Sequence, residues 1–188
     1  MDKANKKIID QLLERASRLY WTYVIQYNQA EVYHRKLNKL TLISLICSGL
    51  IASAAFINVI ISFGISENIG NVIIFFLGLT STIILSYISK FDYTKRIESH
   101  IHSGTAVRRL WMKYQSLITD IKSGRFQNYE AICVQRDLLR DEEYNILKDA
   151  PITLQTAYRK AEKKIHKDKH GEITKEEKVM CNESQNID

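Results

Sequence analysis

The sequence has a single proline, Pro151, and seven glycines, none placed as G-x-G. That absence excludes the dinucleotide fingerprint and the phosphate-cradling loop, both of which need glycine where the backbone closes on phosphate. Neither a G-x-S-x-G elbow nor an H-E-x-x-H zinc pair occurs. The three cysteines, Cys47, Cys133 and Cys181, fit no metal-site spacing. His100 and His102 are two residues apart and point to different faces of a helix, so they are expected to be solvated or to meet headgroups rather than to share a metal. Asp141, Glu142 and Glu143 read as one solvated helix face. No catalytic, cofactor-binding or metal-ligating residue is assigned, no cofactor is expected, and the chain is expected not to be an enzyme. The net charge of +6 comes without a basic–aromatic recognition motif, so nucleic acid is not an expected partner.

The other absence is charge. In a chain that is 26% charged, Glu67 is the only charged residue between Lys39 and Lys90. Leu40 to Ser66 and Asn68 to Ser89 each match or exceed the roughly 20 residues that cross a hydrocarbon core of about 30 Å at about 1.5 Å per residue. They predict a transmembrane hairpin over 40–89, with spans at about 41–63 and 70–89. The tip, 64–69, and its exit hold the turn formers Ser66, Glu67, Asn68 and Gly70. Ala52-Ser53-Ala54 resembles a signal cleavage site. However, a long polar stretch precedes the run and apolar residues continue past it through Phe56, Ile57 and Val59, so cleavage is rejected. Arg35, Lys36 and Lys39 precede the first span, Lys90, Lys95, Arg96, Arg108 and Arg109 follow the second, and the tip has no Lys or Arg. By the positive-inside rule both termini are cytoplasmic. Cys133 and Cys181 then lie on the reducing side. Basic residues beside a membrane meet anionic headgroups, which makes lipids the first expected partner.

The rest reads as helix. Residues 1–39 form an amphipathic helix in which Ile9, Leu13, Ala16, Tyr20, Tyr23, Tyr27, Ala30, His34 and Leu37 follow a 4-3-4-3 heptad spacing. Such a seam packs on the post-membrane helix or on another copy of the chain, and Leu13, Tyr20, Tyr23, Tyr27 and Leu37 are its candidate oligomer residues. The register enters the membrane as Thr41, Ser44, Ser48, Ile51, Ala55, Asn58 and Ser62, a face of small and hydroxylated residues. In lipid that composition suits a close helix–helix contact, or a polar lining to a wet path. Residues 90–165 are expected to form the C-terminal cytoplasmic helices. The first of these bears the stripe Ile97, Ile101, Gly104, Val107, Trp111, Tyr114, Ile118 and Ile121. It is expected to continue the second span without a break and to stop at Ser123-Gly124. A helix follows over about 128–147, and Pro151 opens another that reaches about Lys167. Residues 166–188 are expected to be disordered. The fold class is an all-α membrane protein: a transmembrane helical hairpin continuous with long cytoplasmic helices that form a bundle.

Four features together resemble the SLATT domain family, over about residues 10–165. They are Tyr33-His34-Arg35-Lys36-Leu37 before the first span, the short-tipped hairpin, Phe91 with Arg96, Glu98 and His100 at the exit of the second span, and Ala150-Pro151 with Tyr158-Arg159-Lys160-Ala161. The resemblance implies a two-span bacterial effector found beside nucleotide-producing or nucleotide-sensing proteins. Such an effector would be a homo-oligomer in the inner membrane that opens a pore or disrupts the bilayer in anti-phage or nucleotide-signalling immunity. No catalytic residue is carried over. No fused sensor domain is expected, so the trigger would come from a separate sensor protein or a nucleotide signal. The alternative is a non-conducting membrane-anchored scaffold that recruits a cytoplasmic partner.

The topology is testable by labelling. A cysteine at Glu67→Cys is expected to react with an impermeant thiol reagent added outside intact cells, and one at Lys175→Cys is not; the opposite pattern inverts the hairpin.

Overall fold

An uninterrupted run without proline carries the first helix, α1, from Lys3 to Ala52. The computed structural model describes residues 3–52, 59, 61–64, 66–126 and 128–167. Among them five helices have both ends described, residues 59, 61 and 62 are also helical, and no strand is present. After α1 come α2 (Glu67–Phe91), α3 (Tyr93–Lys122), α4 (Tyr129–Lys148) and α5 (Gln155–Lys167). The expected all-α class is therefore met. Ala55 and Asn58, in the second half of the first expected span, lie outside the described residues, as do Cys181 and the expected tail beyond Lys167.

Two junctions differ from the sequence reading. The second span does not run unbroken into the next helix: Asp92 sits in the left-handed region (φ 46°, ψ 59°) between α2 and α3. Aspartate is one of the few side chains that tolerate this conformation. Its amide closes α2 by donating to Ile88 O at 3.2 Å, and its Oδ1 accepts the Lys95 amide at 3.2 Å at the start of α3. Nor does Pro151 open the last helix, which begins at Gln155. The segment before it is held by side chains of α1. Gln26 Nε2 donates to Pro151 O at 3.1 Å, and Gln29 Oε1 accepts the Leu154 amide at 3.0 Å. By contrast, α3 stops as expected, with Gly124 at φ 75° supplying the positive-φ exit. Asn128 caps α4 by accepting the Ala131 amide at 2.9 Å.

The chain divides into two units, Met1–Ala30 with Glu98–Asp188, and Glu31–Ile97. The first unit is a water-type helical bundle. Its core joins Ile8, Ile9, Leu12, Ala16 and Leu19 of α1 to Val107, Leu110, Tyr114, Leu117, Ile118 and Ile121 of α3 and Ile132 of α4. On α5, Ala157, Ala161 and Ile165 recur every four residues and are buried, while Tyr158 stacks on Trp21 of α1 at 6.1 Å between ring centroids.

This core corrects the register of the heptad seam. The inner face of α1 runs Ile9, Leu12, Ala16, Leu19, Tyr23, Gln26, Ala30. It keeps Ile9, Ala16 and Ala30 as buried positions and Tyr23 as a half-buried one, and replaces Leu13, Tyr20 and Tyr27 with the residues just before them. Gln26 disguised the shift, because a polar residue occupies an inner position. Leu13, Tyr20 and Tyr27 are half-buried at the edge of the same face. Tyr20 and Tyr23 each lie 5.9 Å from the Trp111 ring, and Tyr27 Oη shares a hydrogen bond with Thr105 Oγ1 at 3.0 Å.

The corrected register sets an order of stability effects. Leu12→Ala or Leu19→Ala is expected to cost about 2–5 kcal/mol, as is usual for deleting a fully buried leucine. Leu13→Ala is expected to cost clearly less. Thermal unfolding of the detergent-solubilised chain ranks them, and a larger effect at Leu13 would restore the register read from the sequence.

Candidate functional site

The second unit, residues 31–97, holds α2 and the part of α1 that faces it. It leaves most of its large apolar side chains uncovered. Leu42, Leu45, Phe63, Phe75, Phe76 and Ile83 are all more than half exposed. A contiguous apolar surface of this kind is not tolerated by a water-soluble monomer. Among the described residues, the helix opening at Asn68 is long and apolar enough to cross a membrane.

Inside this surface the polar groups satisfy one another. Ser81 of α2 is buried, and its Oγ shares hydrogen bonds with Ser44 Oγ at 2.9 Å and Ser48 Oγ at 3.0 Å. Of the expected hydroxylated face, Ser44 is buried in this contact. Thr41 and Ser48 are exposed. Ser62 is exposed and donates back to Val59 O at 2.8 Å. Thr80 and Thr82, which flank Ser81, also bond their own helix, to Phe76 O at 2.8 Å and Gly78 O at 2.9 Å. In a bilayer each such bond removes an unmet polar group at no cost in partners. The sequence reading assigned the α1 half of the contact and missed Ser81. Its signal was the run Thr80-Ser81-Thr82, in which only one of three hydroxyls can face the other helix.

Where the apolar surface ends, aromatic rings gather around Tyr93, which is only 1% exposed. Phe91 lies 4.4 Å from Tyr93, Tyr33 lies 6.1 Å from each, and Tyr87 stacks on Phe91 at 5.8 Å. Lys36 Nζ is 5.7–5.9 Å from the rings of Tyr87, Tyr93 and Phe91. The Arg96 guanidinium is 4.2 Å from the Phe91 ring and donates to Phe91 O at 3.0 Å. These are cation–π distances. Hydrogen bonding to Tyr93 raises Lys36 above its ordinary range despite some burial, so it is charged at neutral pH. Burial is also what raises Tyr93, with the Tyr87 hydroxyl adding to it. The flanking Arg35, Lys36, Lys39, Lys90, Lys95 and Arg96 are all exposed, and Leu37 is half-buried.

The first unit carries its own polar groups. His100 is buried rather than solvated, and its Nδ1 bonds Gln26 Oε1 at 2.6 Å. The pairing with an inner-face glutamine of α1 is what allows a polar ring in the interior. His102 is exposed. The acidic run of α4 is likewise not one solvated face. Glu143 is buried and accepts the Tyr114 hydroxyl at 2.8 Å and Arg15 Nη1 at 3.4 Å, while Glu142 accepts Lys113 Nζ at 2.6 Å. Burial pushes the Tyr114 hydroxyl far above its usual range and Glu143 adds to this, whereas Arg15 and Arg140 pull it back. Among the described residues no group of three or more His, Cys, Asp and Glu could hold a metal ion.

Against known families, residues 8–177 match the one described as SMODS and SLOG-associating 2TM effector domain family 4. No curated protein and no solved structure matches the chain.

The hydroxyl contact gives a direct test. Ser81→Ala removes the shared partner of Ser44 and Ser48 and is expected to destabilise the hairpin by about 0.6 kcal/mol, the average for such bonds in lipid, with about 1.7 kcal/mol as an upper value. Thr80→Ala, which breaks only a bond within its own helix, is expected to have no measurable effect. Unfolding in mixed micelles reports both.

Proposed function

The chain belongs to the SMODS and SLOG-associating 2TM effector domain family, SLATT, and on that premise we propose that it acts by assembling in the bacterial inner membrane, both termini cytoplasmic, and opening a pore or disrupting the bilayer during anti-phage or nucleotide-signalling immunity. The observation that supports this reading is the hairpin surface. A pair of helices exposes Leu42, Leu45, Phe75, Phe76 and Ile83 to lipid and also leaves Thr41 exposed, while Ser48 sits at the edge of the helix contact with its hydroxyl on Ser81. Two spans cannot enclose a conduit, so conduction requires several copies around an axis, and outward hydroxyls beside small residues are the surface such copies use. A separate sensor protein or a nucleotide signal supplies the trigger. A closed and an open arrangement then differ by a few kcal/mol, the range in which a partner shifts a population. Its chemistry is membrane perturbation, with no catalytic residue assigned.

One observation favours the second reading, a non-conducting anchor that recruits a cytoplasmic partner. Ser44 and Ser81 are already engaged with each other, which is how a hairpin that only holds position would settle its polar groups.

Ion flux from liposomes separates the two. Wild-type chain, reconstituted with its partner proteins, is expected to release ions well above empty liposomes, and an anchor gives none. Asn58→Leu, on the hydroxylated face, is expected to change the flux or the toxicity of induced expression without altering insertion. Ile74→Leu, on the second span and off that face, is expected to change neither. Wild-type behaviour of Asn58→Leu where wild type is toxic would remove the face from conduction, and silence of the wild type under every condition leaves the anchor.

A further inference from the structure

A recess of about 290 Å³ in the first unit is lined by Gln11, Leu12, Glu14, Arg15 and Arg18 of α1, Tyr114 of α3, and Arg136 and Arg140 of α4. Four guanidiniums thus meet one lining carboxylate. Their order follows from helix geometry. Gln11, Arg15 and Arg18 recur at i, i+4 and i+7, Arg136 and Arg140 at i and i+4, so each helix turns a basic face to the same space. Tyr114 forms part of the lining and is held by its bond to Glu143.

The pairing of these arginines is weak or incomplete. Arg15 reaches Glu143 only at 3.4 Å, and its side chain is 43% exposed. Arg18 pairs with Glu14 one turn away, with both side chains more than half exposed, an arrangement worth a few tenths of a kcal/mol. Arg136 binds its chain neighbour Asp137 at 2.9 Å. Arg140 has no hydrogen-bond or ion-pair partner among the described residues. Guanidinium does not deprotonate in proteins, so the cluster cannot relieve its repulsion by losing a proton. An anion relieves it, and the planar fork of arginine matches phosphate oxygens two at a time.

We infer that this recess binds the phosphoryl end of a soluble small molecule, a diphosphate group being the best fit to its charge and size. The volume lies at the lower limit of ligand pockets, roughly 300 Å³, which admits a pyrophosphoryl group and excludes a nucleic-acid segment. The lining's only aromatic residue is Tyr114, whose hydroxyl is occupied by Glu143, so recognition is by charge and hydrogen bonding rather than by stacking. Binding here does not depend on whether the hairpin conducts.

The test is calorimetric titration of the full chain in phosphatidylcholine nanodiscs with inorganic pyrophosphate at near-physiological salt. Saturable binding is expected, weakened at least ~10-fold, about 1.4 kcal/mol, by Arg140→Ala and by Arg18→Ala. Arg140→Lys, which keeps the charge and loses the fork, is expected to fall in between. Arg125→Ala, outside the recess and paired with Asp120, is expected to bind as wild type. Arg140 is exposed and unpaired, so its variants are expected to keep wild-type helicity by circular dichroism. Absence of saturable binding, an equal loss in Arg125→Ala, or no loss in Arg140→Ala would each overturn the site. So would binding of short-chain phosphatidylglycerol with none of pyrophosphate, which would make the ligand a lipid headgroup. Flux is not measured, so failure here and failure of the pore reading are distinct results.

Discussion

The surface that the chain does not cover by itself is the constraint from which the hairpin follows. Leu42 to Leu50 on α1 and Ile69 to Leu85 on α2 present large apolar side chains outward, and only lipid accepts them. Lipid in turn offers no hydrogen-bond partner, and hydroxyls in the spans find partners inside the chain: Ser44 and Ser48 with Ser81, Thr80, Thr82 and Ser62 with carbonyls of their own helices. Where lipid gives way to water, the residue type changes to rings that have one apolar and one wet side, with Lys36 and Arg96 against them. Such contacts are small individually, about 0.6 kcal/mol for an average interhelical hydrogen bond in a bilayer. Packing and the covalent turn hold the pair, which makes its arrangement inexpensive to change.

The described residues of the first unit obey the opposite solvent. Here water drives burial, and each fully covered Leu12, Leu19 or Leu110 contributes roughly 1.5–3 kcal/mol. Two polar pairs enter this interior: Gln26 with His100, and Tyr114 with Glu143. Both pairs join α1 or α3 to a neighbouring helix, so they fix which residues oppose each other where leucines alone would tolerate sliding. Gln26 and Gln29 also supply the donor and acceptor that the Pro151–Leu154 backbone needs in the absence of a helix.

The two-span character that the family match gives was legible because composition alone carries it: two charge-free stretches of the right length, parted by one glutamate. Helix ends at Ser123-Gly124 and Asn128 were legible because glycine and asparagine act locally. The misreadings are all places where a polar residue does something that its type does not advertise. Gln26 takes an inner heptad position because His100, far along the chain, satisfies it, so the apolar pattern pointed to Tyr27. Glu143 looked solvated beside Asp141 and Glu142, and becomes buried because Tyr114 and Arg15 reach it. Asp92 breaks α2 from α3 by adopting a conformation that aspartate permits and does not require. Local pattern shows the element; long-range pairing decides its face.

The corrected register bears on how copies of the chain would meet. The heptad face of α1 was a natural surface for oligomerisation, but from Ile9 to Ala30 it is spent within the chain, against α3 and its neighbours. Its buried positions, Ile9, Leu12, Ala16 and Leu19, have no apolar area left to gain from a second copy, and Leu13, Tyr20, Tyr23 and Tyr27 keep only their half-exposed edges. Assembly, as proposed, therefore falls to surfaces that remain open. On the hairpin these are the lipid-facing positions, where Thr41 stands exposed beside Leu42 and Leu45. Contacts there gain nothing from hydrophobic burial, because lipid is as apolar as leucine, and depend on close packing and on hydroxyl pairs. Such an interface is weak per copy and sensitive to single polar groups. For the proposed effector, held silent until a trigger arrives, an interface of this kind rearranges more readily than a coiled coil through the heptad face.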